Sequence, residues 1–503
     1  MRFKQYILFL FLLSNLTAKA QQESYELIYP LDDPALTYKG ALENGKKTGL
    51  WAAYNSDSSY LQKGNYSEGQ KTGFWLIFYD RKEKARIQYK NDSISGSYLL
   101  FNESGLSIVK TEFNRNKING SWISFYPMGT KYEKGTFTNG QKEGEWTSFY
   151  ENGKKQIISN YKGDKLNGSF QQFDPFGPLL IETSYSNGYL SGDWRKYDGD
   201  FTLERGQFAE GERNGEWRYY DFSNVQPAII EFYDKGKKVG KWRSYYQSGR
   251  LAKQVSYADD LPVGVSKEWY ENRQLAEETW FRLGLKDSTF SSYYDNSAPR
   301  ELGSYNLGSQ VELWKYYHQN GMIKEFGNFL NDKRTGNWKT FNEQGQLIAE
   351  GDYILDEKIG QWFNYHENTQ LAAIGSYKKG EKDGLWGLFH KNGKPMLEET
   401  WDKGLLMTVS PFTDNDDEKY DSGTLSNGFG IKTSYYPDGE IYSKGPYEKG
   451  QPNGQWTFYD EKGRKLTDGN LVEGTKEGVW RIYTRSGRLI RTESYINGEL
   501  TNR

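Results

Sequence analysis

The frame Gly-x-Trp returns about every twenty-four residues along this chain. It stands at Gly49/Trp51, Gly73/Trp75, Gly120/Trp122, Gly144/Trp146, Gly192/Trp194, Gly215/Trp217 and Gly240/Trp242, and again at Gly336/Trp338, Gly360/Trp362, Gly384/Trp386, Gly454/Trp456 and Gly478/Trp480. Several steps, such as 73 − 49 and 360 − 336, are 24. Self-similarity at a fixed short period marks a repeat array. An array offers a long surface made of one unit many times over, so the functional question is about a surface before it is about a pocket.

Aligned on the Trp slot, the chain holds about nineteen units. Three residues after the slot runs an aromatic column: Tyr54, Phe78, Phe101, Phe125, Phe149 and onward to Tyr365, Phe389, Tyr435, Tyr459 and Tyr483. About fifteen residues after the slot runs another, including Tyr66, Tyr89, Phe113, Phe137, Tyr161, Tyr353, Tyr377 and Tyr495. Between the columns lie turn signals. Asn152-Gly153, Asn320-Gly321, Asn392-Gly393 and Asp438-Gly439 supply positive φ between β-favouring runs. A second glycine precedes most of the Gly-x-Trp frames by about four residues, as at Gly140 and Gly380, and reads as a Gly-x-x-x-Gly turn. Each unit therefore reads strand, tight turn, strand, turn. The segments are short and rich in Tyr, Phe, Thr and Ile, which suits strands. Trp and the residue three later fall on opposite faces of a regular strand. The pattern predicts either aromatic columns on both faces or a bulge beside the Trp.

The unit Gly144-Glu145-Trp146-Thr147-Ser148-Phe149-Tyr150-Glu151-Asn152-Gly153, closed by Tyr161-Lys162-Gly163, resembles the MORN repeat, and more closely its bacterial variant. The resemblance runs from about Leu42 to the C-terminus. It implies an all-β, elongated array of about nineteen antiparallel hairpins in a single twisted sheet, acting as a scaffold or binding surface. Some MORN arrays are associated with membrane lipids, and the bacterial variant is often labelled an antitoxin. Units near 261–313 and 405–430 are degenerate. The second carries the acidic run Asp414-Asn415-Asp416-Asp417-Glu418 but keeps the period, since Trp401 to Leu425 is 24 residues.

Composition narrows the function classes. Of 503 residues, 17% are aromatic and 36% hydrophobic, and the net charge is −2. Aromatic burial must then supply most of the folding energy. A balanced charge argues against nucleic acid as partner. There is no cysteine, which excludes disulfides and thiolate metal sites. Residues 1–20 read as a signal peptide: Arg2 and Lys4, an apolar run from Ile7 to Leu13, and Ala18-Lys19-Ala20 ahead of Gln21. That run is far short of the ~20 residues of a spanning helix. The expectation is an exported chain with a lead-in at 21–41, the array from 42 to 503, and no integral membrane segment once processed.

Candidate chemistry is thin. His318, His366 and His390 share the slot four residues after the Trp, which elsewhere holds Tyr126, Tyr150, Tyr246, Tyr270 and Tyr294. Equivalent residues of adjacent units stand roughly 9–10 Å apart, too far for two imidazoles on one zinc. These eight residues are instead the candidate binding surface, a row of rings able to make rigid contact area. The acidic run lacks calcium-loop spacing. The glycine turns lie between strands and not before a helix, so they are not phosphate cradles. No catalytic constellation, metal site or cofactor motif emerges, and the chain is not expected to be an enzyme. The leading expectation is a non-enzymatic scaffold binding an unidentified protein in the periplasm, at the cell surface or in the medium. A cell-wall glycan stacking on exposed rings is one alternative, and an antitoxin or immunity factor the other.

Overall fold

A computed structural model describes residues 35–221 and 226–502; the signal-peptide reading at 1–20 and most of the lead-in at 21–41 lie outside them. Among the described residues, 34 strands belong to one antiparallel sheet, followed by a two-stranded sheet and an eight-stranded sheet. The hairpin array expected from the sequence is what the chain forms, and consecutive strands pair in chain order. The chain divides into two compact units, residues 1–237 and 238–503.

The Gly-x-Trp frame is a bulge. In the strand pair Lys131–Thr138 and Gln141–Phe149, Glu143 faces Thr136 and Thr147 faces Lys134. Three residues, Gly144 to Trp146, therefore oppose the single Gly135. The same count recurs where Gly336 to Trp338 oppose Gly327 and where Gly360 to Trp362 oppose Gly351. Gly144 sits at φ +69°, a conformation that L side chains resist, and this sets the local kink. Both expected outcomes hold together: the bulge exists, and the aromatic three residues on lies on the opposite face.

The bulge throws each indole flat over a glycine eleven residues earlier. A Cβ on Gly351 would stand 2.3 Å from the Trp362 ring, and one on Gly135 would stand 2.2 Å from Trp146. Ten tryptophans share this arrangement among the described residues. In all ten, Nε1 donates to the carbonyl ten residues earlier, at 3.0 to 3.3 Å. Thr111 and Thr183 fill the glycine slot before Trp122 and Trp194. The Trp122 Nε1 is buried without a hydrogen-bond partner, and Trp194 is not fully buried. This glycine column was not singled out in the sequence, although its 24-residue step from Gly303 through Gly327, Gly351 and Gly375 is plain there. Gly351→Ala is expected to destabilise the chain by about 1–3 kcal/mol through overpacking, with loss of the Trp362 hydrogen bond. Urea titration with tryptophan fluorescence would measure it; a cost under about 0.5 kcal/mol would mean that the ring moves aside freely.

The two turn types divide the glycines differently from the sequence reading. Asn139 and Gly140, at φ +53° and +88°, form the two-residue turn, the signature of type I′. The second glycine of the supposed Gly-x-x-x-Gly turn belongs to the bulge. At the other edge, Gly153 N donates to Tyr150 O at 2.9 Å, and only Gly153 carries positive φ there. The Asn of Asn-Gly is thus free to use its side chain elsewhere.

Within the first unit, the indole face buries Trp51, Trp75, Tyr98, Trp122 and Trp146 with Ile77, Ile87, Leu100 and Val109. Within the second, edge-to-face rings alternate without interruption from Tyr305 to Trp386. Tyr353, for example, lies 6.1 Å from Trp338 and 5.2 Å from Trp362. In many units the ladder closes on its outer side with a basic residue four before the Trp slot, as at Lys71, Lys142, Arg334, Lys358 and Lys476. Lys142 Nζ is 3.8 Å from the Trp146 ring and Lys358 Nζ is 4.0 Å from that of Trp362. These lysines, which flank the turns in sequence, therefore lie over the aromatic ladder. Burial pulls the Lys358 and Lys382 ammonium groups below their ordinary range.

The degenerate stretch 261–313 is regular in backbone, with strands Leu261–Trp269, Leu275–Arg282, Leu285–Tyr293, Pro299–Asn306 and Ser309–Tyr317 paired in succession. At 405–430 the ladder is interrupted. The large sheet ends at Leu405–Val409, and the eight-stranded sheet starts at Gly430–Tyr435. Asp414 of the acidic run is buried. Its carboxylate accepts from the Asp416 and Glu418 amides and from Tyr420 Oη. It organises a turn.

Candidate binding surface

The eight rings picked from the sequence lie at the edge formed by the Asn-Gly turns, and each is committed to the next unit. Tyr126, Tyr150, Tyr246, Tyr270 and Tyr294 donate Oη to the carbonyls of Phe149, Phe173, Trp269, Tyr293 and Tyr317, at 2.7 to 2.9 Å. His318, His366 and His390 do the same through Nε2, to Phe341, Phe389 and Thr413, at 3.0, 2.9 and 2.6 Å. A carbonyl accepts, so Nε2 carries the proton. Tyr436, which bonds to Tyr459 O at 3.0 Å, belongs to the same column. The turn asparagines add a second tie: Asn152 donates to Pro175 O and Asn296 to Gln319 O, both at 2.8 Å. Histidine replaces tyrosine here because both reach a carbonyl one unit away. Among the described residues, no group of three His, Asp or Glu side chains is placed to share a metal ion.

The open surface is the opposite sheet face, built on the column three after the Trp. Every member of that column, from Tyr54 to Tyr483, is half-buried, while nearly all the tryptophans of the slot are buried. The indoles therefore do not form a stacking platform for sugar rings. Each open ring lies beside the residue fifteen positions earlier. Lys110 Nζ stands 5.4 Å from the Phe125 ring, Phe326 stacks on Phe341 at 5.9 Å, and Tyr365 Oη donates to Glu350 at 2.8 Å. Lys339 pairs with the same Glu350 at 2.9 Å and holds its carboxyl below the ordinary range, helped by Tyr365. This face is a grid of half-open rings and partly exposed ion pairs.

Burial, together with Glu350, pushes the Tyr365 phenol up to about 12. Burial also raises Tyr316 to about 12, with Glu301 and Glu325 adding to the shift. A tyrosine unfolded titrates near ~10. The folded state holds these protons more tightly, so their contribution is full below about pH 10 and fades as pH climbs toward about 12. Melting temperatures should be flat up to about pH 9.5 and fall from there. A curve flat to about pH 11.5 would contradict this packing.

A family model for the MORN repeat variant matches residues 142–162, 238–259, 334–354 and 430–449. Each matched segment begins near a ladder cation or bulge and ends near the closing aromatic. No curated protein matches. Among solved structures, this chain is similar to the TcdB2-TccC3-Cdc42 crystal structure at 10% identity and TM-score 0.13, covering 91% of this chain and 29% of that one. It is similar to a mutant Photorhabdus luminescens Tc holotoxin pore at 8% and 0.10, covering 88% and 32%. The chain spans about a third or less of those chains, and at these scores the likeness carries no argument. Four units of this array thus match the MORN repeat variant, and the aromatic columns of those units run on through the rest of the array.

Proposed function

We propose that this chain is an exported, non-catalytic platform that binds another protein on its open sheet face, in the periplasm or at the cell surface. MORN repeats are in general binding modules. The observation that supports this reading most is the repetition of one half-buried ring beside a charged or aromatic neighbour in unit after unit. Such rings give contact area at small entropic cost, and the ion pairs between them supply orientation. The rings of the Asn-Gly edge are tied to carbonyls of the next unit, whereas the rings of the open face remain half-exposed. The export reading rests on Arg2 to Ala20 alone.

The test has two arms. Cell fractionation with N-terminal sequencing should find a chain beginning at Gln21 outside the cytoplasm. Affinity capture from the envelope should return a saturable protein partner, and Phe341→Lys with Tyr365→Lys should weaken it by about tenfold or more. Capture that is unchanged by those substitutions, or that never saturates, counts against the open face.

A further inference from the structure

Along the edge of two-residue turns, the second unit differs from the rest of the array. These turns take positive φ at both residues, and most carry Asn, Asp, Glu, Lys or Gly. Three carry leucine in that conformation instead: Leu283, Leu307 and Leu355, at φ +52°, +46° and +51°. A γ-branched side chain gains nothing locally from a left-handed backbone, and strain that persists at an exposed site points to a use for it. All three are exposed, at 73%, 49% and 57%, and Leu261, Leu285 and Leu330 extend the strip at 47%, 48% and 53%. The strip is continuous over its first part, where the Leu261 side chain leans to 3.0 Å from the Cβ position of Gly284 and that of Leu285 to 3.8 Å from that of Gly308.

We propose that this edge is a self-association surface, occupied by the same edge of a second copy related by a two-fold axis between the turns at 307 and 331. The charges around the strip choose this occupant. With the axis there, Leu283 of one copy meets Leu355 of the other, and Leu307 meets the Asn331-Asp332 turn with Leu330 beside it. The same operation sets the exposed Asp259 and Asp260 against the exposed Lys378 and Lys379, and Arg282 against Glu357. Both the apolar and the ionic matches come from one placement of the axis, as an isologous interface requires. Turns recur every two strands, roughly 9–10 Å, so the second copy has the same pitch by construction. The six leucines expose on the order of 600 Å² per chain, and the flanking turns raise this toward the ~800 Å² per partner of a standard interface. An anionic membrane fits less well, since Asp259, Asp260, Asp356 and Glu357 line the same edge. This inference is independent of the partner proposed for the open face.

The full chain should sediment as a dimer at micromolar concentration. The triple variant Leu283→Asn, Leu307→Asn, Leu355→Asn should weaken the dimer by about 100-fold or more. Its monomer should melt no lower than the wild type, because Asn accepts positive φ. Lys378→Glu with Lys379→Glu should also dissociate it, and adding Asp259→Lys with Asp260→Lys to the same chain should restore it. The chain has no cysteine, so single cysteines report the axis. Chains carrying Leu307→Cys and Asn331→Cys should cross-link with a short bis-maleimide, and Leu307→Cys with Leu283→Cys should not. A wild-type chain that stays monomeric to about 100 μM overturns the proposal. So does a dimer that survives the triple variant, or cross-linking without the 307–331 preference.

Discussion

Trp362→Ala is expected to cost about 3–5 kcal/mol, the range for deleting a buried indole from a packed core. The ring is 3% exposed and sits edge-on to Tyr353 and Tyr377 at 5.2 and 5.8 Å. Lys358 lies over it at 4.0 Å, and its Nε1 donates to Asp352 O at 3.2 Å. Alanine would remove all of these at once and leave the surface of Gly351 facing a void. Each unit touches only its neighbours, so the loss should be local. Hydrogen exchange should show protection falling across the strands Leu347–Ile354, Glu357–Tyr365 and Leu371–Lys378, with little change beyond the adjoining units. A uniform loss over the whole chain would mean that the array unfolds as one cooperative body, and the nearest-neighbour account would fail.

Much of this was readable because one physical demand repeats in every unit. The Gly-x-Trp frame gave the hairpin period, and the aromatic columns gave the two faces. The details that escaped are those in which one residue type serves two roles. Gly140 and Gly144 look alike in sequence, but one makes a two-residue turn and the other a bulge; only the strand register separates them. Lys142 looks like a solubilising residue until the bulge places Trp146 beneath it. Tyr150 and His318 looked like free rings because a sequence does not show that a carbonyl of the next unit lies within reach. The open column at Phe341 and Tyr365 was visible as a column, but which of two aromatic faces is buried depends on the bulge. The positive φ of Leu283, Leu307 and Leu355 follows from the period alone, since they occupy the slot held elsewhere by Asn139 and Asn187.

After the interruption at 410–429, a charge stands where most units carry an indole. Lys432 stands in the Trp slot on the strand Gly430–Tyr435, and its Nζ meets Glu399 Oε1 at 2.6 Å. Their side chains are 13% and 8% exposed. Glu399, on the strand Pro395–Asp402 of the large sheet, also accepts from Trp401 Nε1 at 3.1 Å. This ion pair joins the last full hairpin of one sheet to the first strand of the next. Lys432→Met should therefore cost about 3–5 kcal/mol at neutral pH, because it leaves a buried carboxylate without its cation. Removing both charges, as Glu399→Gln with Lys432→Met, should recover most of the loss, since a pair replaced by neutral side chains of similar volume is often near neutral in stability. A double-mutant cycle by urea denaturation at pH 8 measures the coupling directly. If the single variant loses less than about 1 kcal/mol at pH 8, or the double variant is no better than the single, the pair is not what closes the break. The junction would then rest on its other contacts, among them the Phe412 ring stacked on Tyr435 at 5.1 Å and the backbone bonds from Leu406 N to Gly450 O and from Gly428 N to Met407 O.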